Sequence, residues 1–255
     1  MKKINLALAA TLALACSLFS SCKEEDDLSV SMDKFKNGIT VIQGIDGKDY
    51  EVVDMGFPSG TMWATCNIGA SKPHENGKYF AWGETQDKSC YDWISYVHRE
   101  GDGNEPFDFT KYVQEPNKGL RKMVDEKTAL DSIDDAATIL LGAKWHTPRK
   151  SDVAELLFRT THKLCKLNGV LGYMLTSTEK GYEDRSIFFP LSGKIDMQVN
   201  NFEGKYGFYW INQLYASKTD QAMVLWMDNK DGFENVAQQF LDRCVGLPIR
   251  AVTKQ

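Results

Sequence analysis

GFPSGTMWATC, Gly56 to Cys66, is the stretch on which the reading of the fold turns. It sets Ser59 between a proline and a glycine, just ahead of Trp63 and Cys66. A nucleophile elbow needs G-x-S-x-G between a strand and a helix, whereas here the order is Gly56-Phe57-Pro58-Ser59-Gly60 and strand-forming residues follow. Pro58 pre-sets φ for the second position of a β-turn, and Gly60 supplies a positive φ at no steric cost. Ser59 therefore reads as a turn residue. TMWATC reads as the strand it feeds, with Trp63 in the core.

Working outward, short strand-like runs surround this turn. ITVIQG, YEVVDMG and KYFAWG are rich in Val, Ile and aromatics and are bounded by Gly or Asp. A long polar passage follows, from about Glu84 to Glu126, dotted with Tyr91, Trp93, Tyr96, Phe107, Phe109 and Tyr112. Two helical patterns come next. DSIDDAATILLG places Ile133, Ala136, Ala137, Leu140 and Leu141 on one face, with acids in the first turn and Gly142 at the stop. HTPRKSDVAELLFRTTHKL offers Thr147 as N-cap, Pro148 at the first helical position, and Val153, Leu156 and Leu157 as its buried stripe. Strand patterns then return: GYMLTST, SIFFPLSG, YGFYWIN, QAMVLWMD, VAQQFLD and VGLPIRAV. Helices grouped between runs of strands indicate an α+β domain and not alternating βαβ units.

The chain has 255 residues, 42% hydrophobic and 25% charged, with a formal net charge of −5. These are globular values, and one domain of about 200 residues buries a sizeable core without metal or disulfide staples. No Lys/Arg stripe offers a footprint for phosphate backbones, so nucleic acid is excluded as a partner.

MKKINLALAATLALACSLFSSC, the first 22 residues, carries two lysines and then an apolar stretch from Leu6 to Phe19. That stretch falls short of the 18 or more residues of a spanning helix, so residues 1–21 read as a secretion signal. LFSSC resembles the lipobox of bacterial lipoproteins, which makes Cys22 the acylated residue, with Cys16 a weaker second candidate. KEEDD, Lys23 to Asp27, resembles the acidic export signal that sends such lipoproteins to the outer face of the outer membrane. Two or more acyl chains, palmitate among them, anchor durably at about 0.8 kcal/mol per buried methylene. Residues 22–37 lack hydrophobic periodicity and read as an acidic flexible tether, leaving 38–255 as the folded domain. In an oxidising compartment Cys66, Cys90, Cys165 and Cys244 are candidates for at least one disulfide, and spacing alone cannot choose among their three pairings.

VDMGFPSGTMWATCNIGA, KYFAWGET, DDAATILLGAKWHTPRKSDVAELL, NGVLGYMLTS, SIFFPLSG, GFYWIN and IRAV, in this order, resemble the Fibrobacter succinogenes major paralogous domain of Bacteroides-type lipoproteins. The likeness spans about Tyr50 to Val252. It implies a C-type lectin-like fold, two helices flanking irregular antiparallel sheets with the chain ends brought together, related to that of formylglycine-generating enzymes. The chain departs from the pattern at Leu140-Leu141, where an aromatic-glycine pair is common, and at Ile211-Asn212, where small serines are usual. Those enzymes use a cysteine pair near the C-terminus. Here that region holds only Cys244, so their oxidase chemistry is disfavoured.

Other constellations have structural readings. Glu115-Pro116-Asn117 resembles the sugar-selecting triplet of calcium-dependent lectins, but its Trp-Asn-Asp partner is absent at the required spacing and a proline turn explains it. Asp228 and Asp231 in MDNKDG lack the EF-hand pattern and read as a hairpin turn, so calcium is only weakly indicated and no other cofactor or metal is. Asp131, Asp134 and Asp135 sit at a helix start, where capping outweighs a paired acid/base role. His146, beside a tryptophan and a cap, reads as structural. The residues left for binding are Trp93 in the long loop and Tyr209, Trp210 and Asn212 where the pattern departs. The expectation is a surface-exposed, non-catalytic recognition module for a glycan or protein ligand. The rivals are an assembly subunit of the envelope or an adhesin and, disfavoured, an enzyme.

Overall fold

The computed structural model describes residues 28–101, 108–215, 218–230 and 235–254. The expected signal segment, Cys16, Cys22, KEEDD, Phe107 and Asp231 lie outside them. The described residues form a sheet-rich α+β fold with two α-helices, and no helix among them is long and apolar enough to cross a membrane.

A five-stranded sheet runs in the order β2 (Ile39–Gln43), β3 (Asp49–Asp54), β4 (Thr61–Ala64), β14 (Val252–Lys254) and β5 (Trp145–His146), all antiparallel. The C-terminal strand thus slots beside the strand that follows GFPSG. A second sheet sets β1 (Ser29–Val30) parallel to β6 (Thr160–Leu167), then β7 (Val170–Ser177) and β8 (Ser186–Pro190). A third joins β11 (Tyr206–Leu214), β12 (Gln221–Asp228) and β13 (Val236–Asp242), and β9 (Lys194–Asp196) with β10 (Val199–Asn201) makes a small hairpin.

The strands β4, β11 and β12 are buried on both faces, between two hydrophobic clusters. Successive strand residues point to opposite sides, and here both sides are filled. Val52, Met62, Trp210 and Val224 enter one cluster, and Val53, Trp63, Tyr209 and Leu225 enter the other. This is why YGFYWIN and QAMVLWMD read as continuous apolar runs and not as alternating ones. The helices divide the same way. In α1 (Ala136–Leu141), Ala136, Ala137 and Leu141 pack into the first cluster; in α2 (Lys150–Phe158), Val153 and Leu156 pack into the second.

The opening turn forms as its residues require. Gly60 N–H donates to Phe57 O at 2.9 Å, and Gly60 has φ +71°. Ser59 N–H donates to Glu155 Oε1 of α2 at 3.2 Å, and the Ser59 hydroxyl donates to the other carboxylate oxygen, so the serine fastens the turn to a helix. Trp63 is buried and meets the Phe189 ring edge-on.

Several expectations are corrected. α2 begins at Lys150 with Arg149 before it, so Thr147 and Pro148 lie ahead of the helix and not at its N-cap and first position; Thr147 instead donates its N–H and hydroxyl to Asp135. That helix ends at Phe158; the β-branched pair Thr160-Thr161 instead opens strand β6 against β7. Ile133 is exposed, since Ser132–Asp134 is a 3-10 turn with a different facing from α1. KYFAWG forms only a bridge, Phe80 to Leu247. Residues 28–37 are docked: β1 pairs with β6, and Phe35 is buried edge-on to Phe188. Cys66, Cys90, Cys165 and Cys244 form no disulfide with one another; they are dispersed, Cys165 in the cluster of Phe35 and Phe188 and Cys244 in that of Trp210.

Candidate functional site

The polar passage from Glu84 to Glu126 is pinned by its aromatics. Tyr91, Tyr96, Phe109 and Tyr112 are buried, and Tyr91 and Tyr96 donate their hydroxyls to Tyr79 O and Trp82 O, each at 2.6 Å. Arg243, fully buried, fastens the passage from beneath. Its guanidinium donates to Tyr96 Oη at 2.8 Å, Thr219 O at 2.7 Å and Lys111 O at 3.1 Å, and lies 4.9 to 5.6 Å from the ring centroids of Trp82, Tyr96, Phe109 and Tyr112. Carbonyl dipoles and ring faces stabilise the charge in place of a carboxylate.

On this foundation Trp93 is held half-buried, edge-on to Tyr96 and Phe109 at 5.6 and 5.4 Å. The loop crosses the β9–β10 hairpin through paired Tyr91 and Met197 backbone bonds of 2.7 and 2.9 Å, and the segment after β13 pairs Gly246 with Ile195. Between them lies a groove of about 370 Å³ lined by Asp92, Trp93, Asp196, Gln221, Asp242 and Cys244 among others. The Ser95 N–H, donating to Asp92 Oδ1 at 2.8 Å, holds that carboxyl below the ordinary value. Lys194 stands 3.4 Å from Asp196, and burial pushes the Cys244 thiol up to about 12, so it stays protonated. An indole face among carboxylates and an amide can stack on a ring and accept hydroxyl hydrogen bonds around it. Among the described residues no three His, Cys, Asp or Glu side chains converge as a metal site.

The other expected binding residues lie elsewhere. Tyr209 is buried, donating to Pro190 O at 2.6 Å, and burial pushes its phenol up to about 12. Trp210 is buried with Nε1 donating to Phe80 O at 2.7 Å. Both are core residues and not surface platforms, because β11 is covered on both faces. Asn212 is buried at a separate depression beside α2. Glu115 accepts the Thr219 N–H at 3.0 Å and pairs with Lys118, so the Glu-Pro-Asn triplet tethers a loop. Asp135 caps α1, Asp131 and Asp134 pair with Lys111, and His146 contacts Asp152 at 3.3 Å. Asp196, Gln221 and Asp242 were not singled out from sequence. They lie on three separate strands and carry no motif, so no local signal could have found them.

No protein-family model, no curated protein and no solved structure matches this chain.

Proposed function

We propose that this chain is a surface-anchored lipoprotein whose C-type lectin-like domain is a non-catalytic recognition module that binds glycan at the Trp93 groove. The observation that carries the reading is the half-buried indole of Trp93, braced by two aromatic edges and ringed by Asp92, Asp196, Gln221 and Asp242. A rigid aromatic with acceptors around it suits the alternating apolar faces and hydroxyl rims of a sugar. The lectin-like assignment is supported by the family resemblance, by the strand–helix–helix–strand order and by β14 returning beside β4. Fold alone does not fix function, so the groove and not the resemblance bears the weight.

A glycan array probed with the protein tests it. Binding should vanish in Trp93→Ala and fall in Asp196→Asn, while Trp226→Phe, outside the groove lining, should retain it; no glycan binding by the wild type refutes it. One observation favours the assembly reading. Ile94, Val97, Met197 and Val199 are exposed apolar residues on the same loop and hairpin, a rim suited to a protein partner. A wild type silent on glycans that co-purifies with one envelope protein, lost on Met197→Asp, would establish that instead. The anchor is tested separately: Cys22→Ala should release the protein from membranes, and neutral replacements in KEEDD should remove it from the cell surface. Release by Cys16→Ala in place of Cys22→Ala would reassign the lipid.

A further inference from the structure

The chain is fastened to the second sheet from Leu28 onward. Leu28 O accepts the Lys166 N–H at 2.7 Å, and Ser29 and Val30 pair with Lys166 and Leu167. Ser31 caps a 3-10 turn, Met32–Phe35, by accepting the Asp33 N–H at 3.2 Å. From that turn Phe35, 6% exposed, packs with Cys165, Leu167 and Phe188, and Val30 and Met174 lie against them. This docking decides how far the domain can stand from an anchor at Cys22. Leu28 is six residues after Cys22, and six residues at full extension span at most about 20 Å. A folded body of this length has a radius of gyration of about 17 Å, so it is roughly twice as wide as that reach. A body wider than its tether cannot turn its attachment point away from the surface that holds it, so the side carrying Leu28 is kept toward the membrane.

That side differs in charge from the chain as a whole. Residues 28–37 with strands β6, β7 and β8 carry Lys34, Lys36, Lys163 and Lys166 against Asp33 alone, in a chain whose formal net charge is −5. The turn between β7 and β8 adds Glu179, Glu183 and Asp184 against Lys180 and Arg185, which lowers this excess without cancelling it. Lys34, Lys36 and Lys163 are exposed. They share a face: side chains alternate along a strand, so Lys163 projects with Cys165 and Leu167 from the side of β6 that Phe35 covers. Met32, in the same turn as Lys34, is 39% exposed. Lysines close to a bilayer are attracted by anionic headgroups, and their methylene stems lie along apolar neighbours.

Resting on the reading of Cys22 as a lipid anchor, we propose that the face formed by the 3-10 turn and the outer side of β6 seats against an anionic lipid surface. Lys34, Lys36 and Lys163 lie among the headgroups, with Met32 at their apolar boundary. Lipid is the occupant because the anchor holds this face within about 20 Å of the bilayer, at an effective concentration that no free partner matches. None of these residues lines the Trp93 groove, so lipid seating and glycan recognition use separate side chains.

The test adds the full-length mature lipoprotein, purified in detergent, to preformed vesicles of phosphatidylethanolamine with phosphatidylglycerol, or of phosphatidylcholine alone. Lysines are acetylated with a water-soluble ester, and the rate at each is read by mass spectrometry against Lys122 and Lys127, exposed in the long polar passage. On the anionic vesicles Lys34, Lys36 and Lys163 should react roughly threefold more slowly, relative to that pair, than on phosphatidylcholine. Lys163→Glu, at an exposed position, should keep the anchor and speed acetylation of Lys34 and Lys36 on the anionic vesicles about twofold. A protein that floats with the vesicles while all five lysines keep the same relative rates on both lipids refutes the seating and leaves the anchor standing. A protein that does not float refutes the anchor reading, and the seating with it.

Discussion

Asp135 offers a prediction whose size can be worked from the structure. It is 3% exposed, and its two oxygens serve three donors: Ala137 N–H at 3.0 Å, the Thr147 N–H shared between both oxygens at 3.0 and 2.9 Å, and the Thr147 hydroxyl at 2.7 Å. The first is the N-cap of α1, and the others fix the segment leading into α2. Asp135→Ala strands the Ala137 N–H and both Thr147 donors, and Thr147 is fully buried. A lost N-cap costs about 1 kcal/mol, and each stranded buried donor costs about 1–3 kcal/mol. Local relaxation and the relief of burying a carboxylate offset part of this, leaving roughly 3–4 kcal/mol. With a urea m-value near 2.5 kcal/mol/M, the unfolding midpoint should fall by about 1.2–1.6 M. Asp135→Asn keeps an acceptor for the cap and one Thr147 donor, so it should cost about half as much. Two results would refute the reasoning: a loss under about 1.5 kcal/mol for Asp135→Ala, or an Asn variant as damaged as the Ala variant. The second would mean that charge, and not acceptor geometry, holds the two helices in place.

Three further outcomes are expected. Burial, aided by the Arg243 charge, holds the buried His98 below its ordinary value, so the unfolded chain takes up its proton first; that stability is fully present well above the ordinary histidine value of about 6.5 and is lost as pH falls through and below it. Urea melts at pH 7.5 and 5.5 should show a smaller drop for His98→Gln, with His162, also held low by burial, supplying part of the remainder; an unchanged drop refutes the assignment. Gly56 has φ +75°, and a Cβ there would lie 2.4 Å from the Tyr182 ring, so Gly56→Ala should cost about 2–3 kcal/mol, and a neutral substitution would contradict the turn geometry. Thiol titration of the unreduced, denatured chain from residue 28 onward should count four groups, Cys66, Cys90, Cys165 and Cys244; a count of two would restore the disulfide expected from the compartment.

Much of the fold was legible because local rules sufficed. Pro58 and Gly60 name their own turn, and Gly142, with φ +111°, marks the stop of α1. Boundaries failed where a distant group competed for a local one. Thr147 looks like a cap from its neighbours alone, yet the Asp135 carboxylate, twelve residues earlier, takes its hydroxyl. Tyr209 and Trp210 looked like platforms because they stand beside Ile211-Asn212, where the chain departs from the family pattern. The surer signal was the unbroken apolar run from Phe208 to Ile211, which marks a strand covered on both faces. Trp93 was found because an indole in a polar loop is conspicuous, and its carboxylate surround was not, since single aspartates on separate strands look like any solvated residue.

The sequence by itself determined the alternation of apolar runs and breaks, and hence an α+β body with two helices, because turns, caps and periodicity are properties of neighbouring residues. Only the tertiary structure decided which aromatics are core and which one faces a groove. It alone brought Asp92, Asp196, Gln221 and Asp242 around that groove, since such proximity joins residues more than a hundred positions apart.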